Sequence, residues 1–436
     1  MDNPSFHPIV DDQKSVRGYV LKDESNFGRS REVDGRKSMD LYVSYSAYSM
    51  FRDWMKPYSV PPGARLISDP KGVLKEDVNH SDYIEVCADQ FGNPRLGERH
   101  WQAIPSIAAE SDGSVVYEVW NAGGRDEEMG NYLTVAISED LGKTWKRDEL
   151  VIYPTRPRES RIFDPVIWRS SDGSIRLKFS LTVSNTGIQM GPLTSSHEMT
   201  IRWNGETMEY TEPEFITYGL MINPPTDVAG RELYPIYRCT MNHLNRMIHK
   251  QNPERGTFAY VRKGRGGFRK YAEIPPTDYN LYDFDEHQFV CLDETGRNLM
   301  CVSRFRGGPR KSFSHDFGRT WSEFEPMPEV GPATSSRLFI MRLASGRLML
   351  IYNNHEERRN MTIALSDDNG ESWPHKLIID ARNETSYPAA CQLDDGTIVM
   401  AYDRSRYKDM DIFFMRFTED DILSGVVPEI SRITDM

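Results

Sequence analysis

The sequence predicts an all-β fold, a six-bladed β-propeller, and three observations lead there. One octapeptide pattern occurs three times: Ser138-x-Asp140-x-Gly142-x-Thr144-Trp145, Ser314-x-Asp316-x-Gly318-x-Thr320-Trp321 and Ser366-x-Asp368-x-Gly370-x-Ser372-Trp373. Gly-centred turns followed by apolar strands recur at a near-constant interval. Aromatic residues make up 11% of the 436-residue chain, with 8 Trp and 21 Tyr, a composition suited to strands.

The octapeptide explains its own shape. An Asp in a turn accepts hydrogen bonds from backbone amides about two residues on, Gly supplies a positive φ, and Trp anchors the hairpin in apolar packing. The turns centre on Gly113, Gly173, Gly230, Gly296, Gly346 and Gly396, spaced 60, 57, 66, 50 and 50 residues apart. Each alone is a weak strand-turn-strand signal, but six at this period match the repeat of a propeller blade. The octapeptides follow the first, fourth and fifth turns by about 20 residues, which places them between the last two strands of those blades.

After Gly396 only 40 residues remain, enough for two or three strands of the last blade. Something N-terminal is therefore expected to complete it and remove the sheet edge, with the run Leu41-Tyr-Val-Ser-Tyr-Ser46 as a candidate. Residues 1–40 read as an N-terminal arm, suited to joining two copies of the chain, and 41–436 as one propeller domain.

A net charge of −12 argues against a nucleic-acid groove or an anionic membrane surface as the main partner. Cys87, Cys239, Cys291, Cys301 and Cys391 are odd in number and lack CxxC spacing, so they read as apolar strand thiols. No basic-then-apolar leader opens the chain and no window nears 18 apolar residues, which gives the expectation of a soluble, cytoplasmic protein. No metal-ligand spacing, GxGxxG, P-loop or GxSxG elbow occurs, so neither a metal nor a cofactor is expected.

The octapeptides are the Asp boxes of the sialidase superfamily, which the chain resembles from about residue 99 to 423. Sialidases place in a central pocket three Arg that clamp a carboxylate, a Tyr nucleophile, a Glu that activates it and an Asp acid/base. Glu286, an apolar strand, the Gly296 turn, a second strand ending at Arg304 and the Asp box at Ser314 repeat the family's order. The resemblance therefore implies that Glu286 is the activating carboxylate and Arg304 a clamp residue. It places Tyr387, in Thr385-Ser-Tyr387-Pro388, at the nucleophile. A phenol with pKa near 10 needs such a neighbouring base to attack at neutral pH.

Arg358 and Arg359 precede the third Asp box much as another clamp Arg does; one points inward, with Arg359 taken first. Arg337 is a further inward candidate. Arg161, in Arg161-Ile-Phe-Asp164-Pro165, and Asn223, in Met221-Ile-Asn223-Pro224-Pro225, open inner strands and are expected to face the substrate, as is His287. For the acid/base, the loop Asn121 to Tyr132 offers Asp126, Glu127 and Glu128, with Glu127 favoured.

One departure matters. Sialidases open the first blade with Arg-Ile-Pro, where this chain reads Ala103-Ile104-Pro105. The planar fork of donors that matches a carboxylate is lost there. The resemblance thus implies an exo-glycoside hydrolase with a retaining Tyr mechanism, acting on a terminal acidic sugar, with a uronic or related acid favoured over ordinary sialic acid. Two rivals remain. One is a propeller lyase using His287 or His100 with Tyr387 and Arg304, marked by an inward His287. The other is a non-catalytic sugar-binding propeller, with no acid within reach of Tyr387.

Overall fold

The computed structural model describes residues 99–434, apart from 125, 158–159, 184–193, 239–255, 265–266 and 276–285. It also describes residues 80–88 and short strands between Phe6 and Ile67. Six antiparallel sheets follow one another along the chain, each running from the propeller axis outward. Their innermost strands are Trp101–Ala109, Ser160–Arg169, Thr226–Asp227, Gln288–Cys291, Phe339–Arg342 and Thr385–Gln392. Every one of the six Gly turns links the first strand of its blade to the second, as their spacing predicts.

Closure corrects one expectation. The sixth blade is completed by the chain's own C-terminal segment, Ile430–Arg432, which pairs with Asp411–Phe417. A strand from before the propeller, Ile84–Cys87, instead adds a fifth strand to the outer edge of blade 1. Among the described residues, Leu41–Tyr42 pairs with Leu66–Ile67 and with no blade. The count of 40 residues underestimated the tail because the last blade needs only a three-residue outer strand. Of the proposed arm, only the hairpins Phe6–Val10 with Val16–Leu21 and Ser30–Val33 with Arg36–Met39 are described; the rest of it and Cys239 lie outside the described residues. Among the described residues no helix is long and apolar enough to cross a membrane.

The Asp boxes close the hairpins between third and fourth strands. In the second, Asp316 Oδ1 accepts from Thr320 N at 2.9 Å, its Oδ2 from Thr320 Oγ1 at 2.7 Å, and Ser314 Oγ from Gly318 N at 2.9 Å. The first and third repeat these bonds. The Gly has a second duty besides its positive φ. A Cβ on Gly142 would stand 2.0 Å from the Phe414 ring of blade 6, so the box packs against the neighbouring blade. First and third strands run the same way, and the boxes end third strands. They therefore sit at the opposite end of the blades from the starts of the inner strands.

Candidate active site

Three inner strands, each the edge of its sheet, carry a proline, which cannot donate to the ladder, and each has a bulge there. The ladders slip between Ala103 and Ser106, Phe163 and Val166, and Ser386 and Ala389, at Ile104-Pro105, Asp164-Pro165 and Tyr387-Pro388. In each the residue before Pro is left-handed, with φ of 60°, 50° and 54°. Such backbone costs about 1 kcal/mol or more in a non-Gly residue and persists only where the surroundings impose it. Ile104 and Tyr387 pack in one cluster with Phe163, Leu220, Ile222 and Tyr237 at the centre of the propeller.

At the Ile104-Pro105 and Tyr387-Pro388 bulges, what imposes it is Arg337. Bulges free carbonyls from the ladder, and this fully buried guanidinium collects them. Its Nη2 donates to Pro105 O, Tyr387 O and Pro388 O at 2.8–3.0 Å, and its Nη1 to Ile222 O at 3.0 Å. Arg337 is thus a staple beneath the pocket, which corrects its expected role in substrate binding.

Above the staple, Tyr387 Oη donates to Glu286 Oε1 at 2.7 Å, and Arg304 Nη1 donates to Tyr387 Oη and Glu286 Oε2, both at 3.0 Å. Arg304 Nε is held by Ser335 Oγ at 3.1 Å. All three side chains are buried. Burial pushes the phenol well above its ordinary pKa, and Glu286 pushes the same way; Arg304, Arg358 and Arg406 pull it down. Tyr387 therefore rests as a neutral hydroxyl with a carboxylate already accepting its proton.

Arg358, not Arg359, takes the second inward place. Its guanidinium lies 5.3 Å from the centre of the Tyr387 ring, with no hydrogen bond or ion pair among the described residues. Burial lowers its pKa, and the cations of Arg406 and Arg304 lower it further. Arg359 turns to Glu357 and His355. Adjacent positions at this loop face opposite ways.

The other expected residues divide. Arg161 is buried over the Phe163 ring at 3.8 Å and reaches Glu127 Oε2 at 3.4 Å, so it anchors the acidic loop. Asp126 of that loop accepts from Tyr407 Oη at 3.1 Å. Asn223 is buried and donates to His287 O at 3.2 Å, bracing the backbone beside Glu286 rather than facing a ligand. His287 is corrected too. Its ring contacts Phe258 O at 3.0 Å and packs on Tyr237 and Phe289, so one ring nitrogen is taken up by a backbone carbonyl.

Two residues were not singled out from the sequence. Arg406 stands 4.2 Å from the Tyr387 ring centre, paired with Asp403. Asp164 sits at its bulge nearly buried, and no described residue hydrogen-bonds its carboxyl. Burial raises its pKa, and Glu127 and Glu286 add to the rise against Lys178 and Arg161. Burial lowers Lys178, whose ammonium bonds Ser180 Oγ and the Asp164 carbonyl. The shared Pro after Tyr387 and Asp164 was the available signal. Among the described residues no His/Cys/Asp/Glu group could hold a metal.

The family described as BNR repeat-like domain matches residues 114–400. The chain belongs to this family. A sialidase of Bacteroides fragilis is 30% identical to this BNR-repeat protein over 123 residues, 26% of this chain and 23% of the relative. The chain thus aligns with under a quarter of that relative's length. Among solved structures it is similar to the Hadza microbial sialidase Hz136, with a TM-score of 0.57 and 16% identity over 73% of this chain and 66% of that one, just under two thirds of its length. The intramolecular trans-sialidase from Ruminococcus gnavus, in complex with oseltamivir carboxylate, gives 0.54 and 15% over 74% and 95%. At these identities the structural likeness establishes the sialidase-type propeller fold.

Proposed function

We propose that this protein is a retaining exo-glycoside hydrolase whose nucleophile is Tyr387 and whose substrate ends in an acidic sugar. The observation that carries the reading is the Tyr387–Glu286–Arg304 triangle, with its 2.7 Å bond from phenol to carboxylate.

The phenol attacks the anomeric carbon as its proton passes to Glu286 Oε1. The bond to the leaving oxygen breaks, and that oxygen takes a proton from a carboxylic acid of the Asp126–Glu128 loop, with Glu127 favoured. A tyrosyl glycoside results. Water, deprotonated by the same loop carboxylate, then displaces Tyr387 with a second inversion, and Glu286 returns the proton to the phenolate. A hydroxyl rather than a carboxylate nucleophile spares an anionic sugar from a full negative charge at close range. The crowding of guanidiniums around Tyr387 supports an anionic group in the ligand. Four cations, Arg304, Arg337, Arg358 and Arg406, stand around its hydroxyl and ring, against the carboxylates Glu286 and Asp403.

The test uses aryl glycosides of N-acetylneuraminate, 3-deoxy-octulosonate, glucuronate and galacturonate, with a fluorinated glycosyl fluoride of whichever sugar is cleaved. The expected result is release with retained anomeric configuration and a covalent adduct on Tyr387 by peptide mass spectrometry, absent in Tyr387→Phe. Release with inversion, or full activity in Tyr387→Phe, overturns the reading.

A further inference from the structure

We infer that Arg406, from the last blade, supplies the guanidinium that the first blade lacks, so that the carboxylate clamp consists of Arg304, Arg358 and Arg406. The inference rests on the acidic-sugar reading and names the residues that would determine it. At the start of blade 1, Ala103 and Ile104 are buried in apolar packing with Trp101 and Phe163, and no cation can project from there. The backbone at this spot is nevertheless tied to a charge. Ile104 N donates to Asp403 Oδ2 at 2.7 Å.

Asp403 is fully buried on the second strand of blade 6, and it also accepts from Ser386 Oγ at 2.6 Å. It holds Arg406 by two edges: Nε reaches Oδ1 at 3.2 Å and Nη2 reaches Oδ2 at 3.0 Å. Nη2 also donates to Ser386 Oγ at 3.1 Å. The guanidinium is therefore fixed beside the entrance of blade 1, although its main chain belongs to blade 6. A fork held by a carboxylate behind it loses little freedom when it binds a second carboxylate in front.

The donors left over point the same way. Arg406 Nη1 makes no hydrogen bond to a described residue and is not among the side-chain atoms closed off from the surface. Arg358 makes none at all among the described residues. The two guanidiniums stand 4.2 and 5.3 Å from the centre of the same Tyr387 ring. Such crowding disfavours the empty site and is relieved by a bound anion. Arg406 thus differs from Arg337, whose two terminal nitrogens are spent on carbonyls.

The test measures binding of D-glucuronate, D-galacturonate and N-acetylneuraminate, each against its methyl ester, to the full chain by calorimetry, with thermal unfolding as the fold control. Arg406→Met should weaken the preferred acid by at least ~30-fold, the loss typical of truncating one partner of a desolvated charge pair, and its ester by less than ~3-fold. Arg406→Lys, which keeps the charge without the fork, should recover part of the loss. Equal losses for acid and ester would overturn the inference, since Arg406 would then only position Tyr387. So would an acid preference that survives Arg406→Met but is lost in Arg304→Ala, and in that case the acidic-sugar reading stands. A native protein that prefers no acid over its ester sinks both.

Discussion

Glu118 should cost this protein stability in a manner that grows with pH. It lies mid-strand in Val116–Gly123, fully buried, opposite Ile107 and Ala136 in the adjoining strands. Neither carboxyl oxygen has a hydrogen-bond partner among the described residues. Burial alone raises its pKa well above the ordinary carboxylate range, so the native side chain keeps its proton to a higher pH than the unfolded one. Leaving such a group unpaired costs about 1–3 kcal/mol even when neutral. Ionisation adds a second cost with a definite sign. Below the unfolded-state pKa of about 4.3 both states carry the proton, and the native state loses nothing. Above it the unfolded chain releases the proton and the native chain keeps it. Stability then falls by up to ~1.4 kcal/mol per pH unit until the native pKa is reached. Replacing Glu118 by the similarly long Met removes both costs. Urea unfolding of Glu118→Met and the native sequence at pH 5 and pH 6 should show the variant more stable at both, with the gap wider at pH 6 by up to about 1.3 kcal/mol. A gap that does not change between the two would show that Glu118 is ionised in the fold or finds a partner, and the reasoning fails.

The remaining predictions concern the site and the boxes. Glu286→Gln should lower kcat by about 10²–10⁴-fold, the usual worth of a general base, while the binding of an acidic sugar changes far less; an equal loss in both would make Glu286 a binding group. Glu127→Ala should slow glycosides of poor leaving groups strongly and those of activated phenols little, because only the former need a proton delivered. If Asp164→Asn shows that split instead, the acid is the buried carboxyl at the second bulge. Asp316→Ala should destabilise the protein by roughly 1 kcal/mol through the lost turn bonds, with kcat unaltered at the far end of the blade. Because those bonds lower the pKa of Asp316, their contribution should be present above pH ~4 and fade as pH falls further, read as a shrinking difference in unfolding midpoint.

The blades were legible because they rest on local rules. An Asp that bonds amides up to four residues on and a Gly with positive φ fix each hairpin without reference to anything distant. Glu286, Tyr387 and Arg304 were legible through the resemblance to sialidases, whose order of Glu, Gly turn, Arg, Asp box and Tyr the chain repeats. The misreadings concern direction. Arg337 opens a strand like a binding residue, yet the carbonyls it collects come from segments 50 to 232 residues away in sequence. Arg358 and Arg359 differ only in which way one loop residue faces. Arg404 and Arg406 look alike in Arg404-Ser-Arg406-Tyr407, but Arg404 bonds Asp409 and Asp411 within its own blade while Arg406 bonds Asp403. Nothing local distinguishes them.

The proline bulges give the centre of this propeller a common construction. Pro cannot donate to the ladder, so the strand slips and the residue before it turns left-handed. The three residues so placed are Ile104, Asp164 and Tyr387: one apolar, one a buried acid and one a phenol. Pro105 and Pro388 also offer their carbonyls to Arg337, so a single buried cation sets the height of two bulges at once. The consequence is that chemistry and scaffold separate at one bond. The proline and the carbonyl fix where the side chain of the preceding residue stands, and that residue's identity then decides what the position does. Loss of the Arg337 guanidinium would leave these carbonyls buried and unpaired, at about 1–3 kcal/mol each, and would release the strained backbone on which Tyr387 depends. Arg337→Met should therefore lower unfolding stability and activity together, even though Arg337 touches Tyr387 only through its carbonyl and the face of its ring. A variant that folds with native stability but has lost activity would instead return Arg337 to the substrate.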